Sequence, residues 1–369
     1  MRTIAFFLLA LCCICCNNPG HGSNAMAGAL EDTFRLPGIP YEKTLYFTGN
    51  LVYYDAGDSS SPYSSSIYCF SLPERKLLWS KPIAEMSINE GTITSTGEYV
   101  VPALTDTVYL FDSSGNRRTL KLVDRCKTNP LTFRNSFILQ DRGVGLKCFD
   151  AKTLQELWLI PQDREFTMPQ PLLIDSILVY DLNDKAIEAA GVADGRLRWK
   201  VPVFGDIAAS WRIPRTDTFG LYDVYGRDED AVFVLSIDLK NRPGLFAINY
   251  RQGKVLWTTM MDTAVDVWDR SMIVREDTIY CKGRQTVIKI GRKEGAMLGR
   301  YRFDSRIVTN LIKDEKGNIL FGLEDHSLME INPSGELKKI CKFPRGLNRF
   351  YLNQGKVYLM SYPDLYKIK

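Results

Sequence analysis

The stretch Leu245 to Trp257, LFAINYRQGKVLW, recurs in recognisable form along the whole sequence at a nearly constant period. It reads as strand, turn, strand. Leu245 to Asn249 are apolar and alternating, Gly253 stands where a tight turn needs positive φ, and Val255 to Trp257 is a second β-rich run closed by a large aromatic. With the second residue of each copy as a ruler, the copies fall at Tyr68, Tyr109, Lys147, Glu188, Phe246, Ile288, Met329 and Tyr366. The steps between them are 41, 38, 41, 58, 42, 41 and 37 residues. One period sustained over a chain means one module repeated, here with a single enlarged step.

The copies read IYCFSLPERKLLW from Ile67, VYLFDSSGNRRTL from Val108, LKCFDAKTLQELW from Leu146 and IEAAGVADGRLRW from Ile187. After the unit at Leu245 come VIKIGRKEGAMLG from Val287, LMEINPSGELKKI from Leu328 and LYKIK from Leu365, where the chain stops. Upstream of each lies a further β-rich run, such as Asn50 to Asp55, Ile177 to Asp181 or Asn318 to Gly322. A period near 40 with room for four short strands is that of a propeller blade, and a blade can cover both apolar faces only by stacking in a closed ring. The expectation is an all-β, eight-bladed β-propeller of four-stranded antiparallel blades. The last copy lacks an outer strand, and Asp32 to Leu36, DTFRL, is the N-terminal donor that closes the ring and removes free sheet edges. Composition agrees: 18 Tyr, 18 Phe and 6 Trp favour strands.

The pattern of alternating apolar residues, Asp or Asn, Gly, a basic or polar residue, an apolar residue and Trp resembles the repeat of the pyrroloquinoline-quinone-like propeller family. It is carried best by Phe149 to Trp158 and Ala247 to Trp257. The second, sixth, seventh and eighth copies lack the Trp. Enzymes of that family hold a quinone with a calcium ion, and many have a disulfide between adjacent Cys. Here the only adjacent Cys pairs, Cys12-Cys13 and Cys15-Cys16, lie in the leader, so the expectation is a non-enzymatic protein without cofactor or metal.

Arg2 followed by the apolar run Ile4 to Ile14 reads as an export signal too short to remain as a membrane helix. The Cys cluster at its end resembles a bacterial lipoprotein signal, with Cys16 the lipidated residue and Cys13 the alternative. The usual Leu and small residue before the Cys are replaced by Cys13, Ile14 and Cys15. Ordinary cleavage near Ala25 to Ala29 is a third reading. The expected organisation is a signal over 1–16, a tether over 17–30 and one propeller over 31–369. Five Cys remain in the mature chain, read as small buried hydrophobes, with one disulfide as the alternative.

Forty-seven basic against 43 acidic residues give a net charge of +4, too balanced for a nucleic-acid partner. His326 is the only His beyond the tether, which excludes a Ser-His-Asp triad or a multi-His zinc site. Asp262, Asp266 and Asp269 are placed as possible liners of the central channel. The irregularities carry more information. The enlarged step puts extra residues within Val203 to Asp230, in the inter-blade connection or the first strand of the fifth blade, and Ala56 to Ser66 reads as the longest loop between second and third strands, both on one face. Trp211, Arg212, Arg215, Tyr222 and Tyr225 supply the aromatic and Arg anchors that protein interfaces favour. The chain is similar to the family of outer-membrane-protein assembly propeller lipoproteins. That similarity implies a monomeric scaffold bound to the bacterial envelope by a lipid anchor, docking on envelope proteins such as a membrane β-barrel, on the outer membrane facing the periplasm. The rival reading is a periplasmic propeller binding or hydrolysing a glycan or small molecule in its channel.

Overall fold

The computed structural model describes residues 28–41, 44–58, 61–83, 90–126, 128–161, 171–180, 186–201, 220–222, 231–237, 243–261 and 272–369. The strands form eight antiparallel sheets, each a meander of inner, second, third and outer strands. Blade 5, for example, comprises Gly220–Tyr222, Ala231–Ile237, Pro243–Asn249 and Lys254–Met260. Blade 6 comprises Met272–Arg275, Thr278–Lys282, Thr286–Gly291 and Met297–Arg302.

The ring closes on the expected donor. Leu30–Arg35 pairs antiparallel with Asp364–Ile368, and the Lys369 amide donates to the Ala29 carbonyl at 3.0 Å. The outer strand of blade 8 therefore comes from the other end of the chain. Phe34 and Leu36 then fill the joint between blades 8 and 1 with Leu365, Met360, Tyr54 and Val52. The core has no single centre. Eight apolar clusters each straddle two neighbouring blades, so every blade is stabilised by both neighbours.

The Gly and Trp of the repeat meet across blades rather than within one. Trp79, Trp158, Trp199 and Trp257 lie against Gly115, Gly195, Gly253 and Gly295, each in the turn of the next blade. Their Nε1–H groups donate to the carbonyls of Ser113, Val192, Tyr250 and Arg292 at 3.0, 3.1, 2.6 and 2.9 Å. A β-bulge one residue earlier, in which Leu78, Leu157, Arg198 or Leu256 is the extra residue, aims each Trp into the joint. The turn conformation alone does not demand Gly: Arg75 and Leu154 hold the same place with φ of 51° and 61°. Neither faces a Trp. Asp32, at the Trp position of blade 8, takes Arg75 in two hydrogen bonds of 2.6 and 2.8 Å. Arg118, at the Trp position of blade 2, donates to the Ala151 and Lys152 carbonyls beside Leu154 at 2.6 and 2.7 Å.

One expectation is corrected. Ala56 to Ser66 is not a loop: Leu51–Asp58 and Ser61–Ser71 pair almost to the tip, with Ala56 opposite Ser66 and Gly57 opposite Ser65. Small residues leave the extended ladder unobstructed, and Ile39–Pro40 pairs along its edge. Among the described residues Cys69, Cys126, Cys148, Cys281 and Cys341 are buried, and none is joined in a disulfide.

Candidate protein-docking face

A meander reverses direction at every strand. The connections between blades and the turns from second to third strand therefore share one face, and the Gly-bearing turns lie on the other. On the first face the mouth of the central channel is tied by polar links among four blades. Arg349, the first residue of the inner strand of blade 8, donates through Nη2 to Glu90 Oε1 at 2.8 Å. Glu90 precedes the inner strand of blade 2, so the pair reaches past blade 1, and its side chains are 9% and 10% exposed. The Glu90 amide donates to Asn129 Oδ1 of blade 3 at 3.0 Å. Asn310 of blade 7 clasps the backbone of Phe350, accepting from its amide at 2.8 Å and donating to its carbonyl at 3.2 Å.

Beneath this collar, buried threonines cap the second strands. Thr44, Thr128 and Thr309 each accept a backbone amide through Oγ1, from Asp55, Gln140 and Gly322 at 3.0, 3.2 and 2.8 Å. The sequence reading missed these residues and the Arg349–Glu90 pair. A signal for the first existed, a Thr two or three residues before an inner strand in three copies. The second had none, because its partners are separated by 259 positions.

Chain order fixes how the enlarged step is shared. The outer strand of blade 4 ends at Val201, the inner strand of blade 5 is Gly220–Tyr222, and its second strand starts at Ala231. Residues 202–219, between the two blades in sequence, lie outside the described residues. Tyr222 pairs with Phe233 at the end of the inner strand remote from the connection that precedes it. Trp211, Arg212, Arg215 and Tyr225 lie outside the described residues, as do Cys13, Cys16, Asp262, Asp266 and Asp269. Tyr222 is placed at the end of its strand. His326 sits half-buried in the turn between second and third strands of blade 7, its amide donating to the Leu323 carbonyl at 2.9 Å.

A family model described as outer membrane protein assembly factor BamB matches residues 64–298. The chain belongs to that family. Among solved structures, BamB from Moraxella catarrhalis is similar with a TM-score of 0.70 at 13% identity, covering 92% of this chain and 99% of that one. Sqt1 from Saccharomyces cerevisiae gives 0.68 at 12% identity, covering 92% and 98%. A europium-containing methanol dehydrogenase gives 0.62 at 10% identity, covering 92% and 86%. At such identities the likeness is one of fold and transfers no activity. By sequence, no curated protein matches at a significant level. The enlarged step of blade 5 falls inside the span that the BamB model covers.

Proposed function

We propose that this protein is an exported, lipid-anchored envelope scaffold that binds protein partners through the face carrying the inter-blade connections, in the assembly of outer-membrane proteins. Family membership supports the class of role, and the enlarged step before blade 5 carries the choice of face. A ring whose joints repeat so regularly needs no extra residues there for its own closure. Trp211, Arg212 and Arg215 are the anchor residues. The polar collar around Arg349 and Glu90 gives such a face a fixed frame, which limits the ordering cost of docking. The chain acts as a monomer without catalysis or cofactor. Acylation falls on Cys16, with Cys13 as the alternative acceptor, and holds the propeller at the outer membrane facing the periplasm.

The test is co-purification from detergent-solubilised envelopes. Trp211→Ala with Arg212→Ala should lose a membrane-protein partner while thermal stability is unchanged. Undiminished recovery of that partner would sink the reading. Cys16→Ser should move the chain from the membrane to the soluble fraction, and Cys13→Ser should not.

A further inference from the structure

One joint of the ring lacks its filler. In blade 6 the position that holds Trp257 in blade 5 is Gly299: Lys289 pairs with Gly299 as Ala247 pairs with Trp257, and the same bulge precedes each. A cleft of 190 Å³ opens there between blades 6 and 7, on the face of the Gly-bearing turns. Its inner wall is fixed. Arg275, 7% exposed, donates to the carbonyls of Gly317, Ile331 and Asn332 at 3.2, 3.1 and 2.8 Å and to the Tyr280 hydroxyl. The far wall is the turn at Pro333 to Gly335.

That turn has the form of the one that receives Trp79. Asn332 N–H to Glu336 O and Gly335 N–H to Asn332 O, at 3.0 and 2.9 Å, match Asp112 to Asn116 and Gly115 to Asp112, both at 3.0 Å. The Pro333 carbonyl thus stands where the Ser113 carbonyl accepts the Trp79 indole N–H. Tyr301 hydrogen-bonds Gly335 O at 2.6 Å without filling the space, and Leu298, 53% exposed, provides an apolar lip. The Lys289 ammonium lies 5.0 Å from the centre of the Tyr301 ring, and among the described residues it has no carboxylate partner. Glu276, on the rim, is the cleft's one acidic residue.

We propose that this cleft receives a tryptophan side chain from a partner protein, on a segment with a carboxylate beside the tryptophan. The indole packs on Gly335 as its counterparts do in the four filled joints, its N–H donates to the Pro333 carbonyl, and the carboxylate pairs with Lys289. The occupant is read from the molecule itself, which fills this same slot four times with its own Trp. The site lies on the face opposite the proposed docking face, so the two readings stand or fall separately.

The probe is N-acetyl-tryptophan, which carries indole and carboxylate, followed by ligand-observed NMR and by soaking into crystals of the full propeller. Binding should place the indole against Gly335. It should weaken ~tenfold or more, equivalent to ~1.4 kcal/mol, in Leu298→Trp, which plugs the slot from an exposed position. In Lys289→Met, N-acetyl-tryptophan should lose its advantage over N-acetyl-tryptophanamide. Binding that survives both substitutions, an indole located elsewhere, or acetate competing as well as N-acetyl-tryptophan would each overturn the proposal. The last outcome would mark a simple anion site.

Discussion

The indole of Trp257, on the outer strand of blade 5, packs on Gly295 of blade 6 so closely that a Cβ built on the glycine would lie 2.5 Å from Cε3 of the ring. The same glycine has φ of 69°. Two constraints therefore meet at one residue, and they can be separated by experiment. Leu154 shows that this turn tolerates a side chain at φ of 61° when no Trp lies above it.

Gly295→Ala should destabilise the protein by more than the ~1 kcal/mol that an unsuitable φ imposes on alanine. Trp257→Ala should cost ~3–5 kcal/mol through the cavity left in the joint. In the Trp257→Ala background the further cost of Gly295→Ala should shrink, because only the φ strain and the neighbouring Thr259 contact remain. Urea unfolding of the four proteins in the cycle measures this; strict additivity would show that the contact does not govern the choice of glycine.

Closure of the ring should dominate global stability. Deleting residues 31–38 or 365–369 exposes a sheet edge and opens the cluster around Phe34 and Leu365. Either truncation should lower the melting temperature substantially, as followed by the near-ultraviolet signal, and a truncation with unchanged Tm would refute the role of the closing strand.

The Arg349–Glu90 pair should be costly to break and cheap to replace. Arg349→Met alone leaves a buried carboxylate and is expected to cost ~3–5 kcal/mol, whereas Arg349→Met with Glu90→Leu should recover much of the loss. Chemical denaturation checks the difference. It also distinguishes a tie across blade 1 from two independent side chains.

Burial alone pushes the Cys281 thiol up to about 12, and burial is the leading cause that pushes Cys69, Cys126 and Cys341 up to about 11. The native protein should therefore resist iodoacetamide at pH 8, since the thiolate is the nucleophile. All of these thiols should label after unfolding. Rapid labelling of Cys281 in the native state would contradict its burial.

Acid should weaken the turns first. Asp112 is held below the usual carboxylate range by Asn116 side-chain and backbone hydrogen bonds, Asp150 by the Thr153 amide and hydroxyl, and Asp194 by the Arg196 amide, with the nearby arginines adding to it. A carboxylate whose folded pKa is depressed stabilises the fold above its unfolded value, here 3.8, and loses that contribution as pH falls through the folded value. Replacing Asp112 and Asp150 by Ala should therefore reduce the slope of stability against pH below about 4. Equal slopes in variant and parent would remove these turns from the acid response.

The sequence by itself determined the number of blades, their strand content and the donor of the closing strand. Each of these follows from a local pattern repeated at one spacing: an apolar alternation fixes a strand, a turn residue ends it, and a blade with two apolar faces must have neighbours. Even the anomaly at blade 5 was visible as a step of 58 residues. What the tertiary structure decided is which residue answers which. That Trp257 needs Gly295, that Asp32 stands in for a Trp by grasping Arg75, and that Arg349 reaches past a blade to Glu90 are relations between positions far apart or in different copies. The paired strands at Ala56 to Ser66 belong to the same class, since their ladder is held along its edge by Ile39–Pro40. A repeat specifies its module through contacts within reach of a few residues. Its joints are specified only when the ring closes and brings the outer strand of one module against the turn of the next.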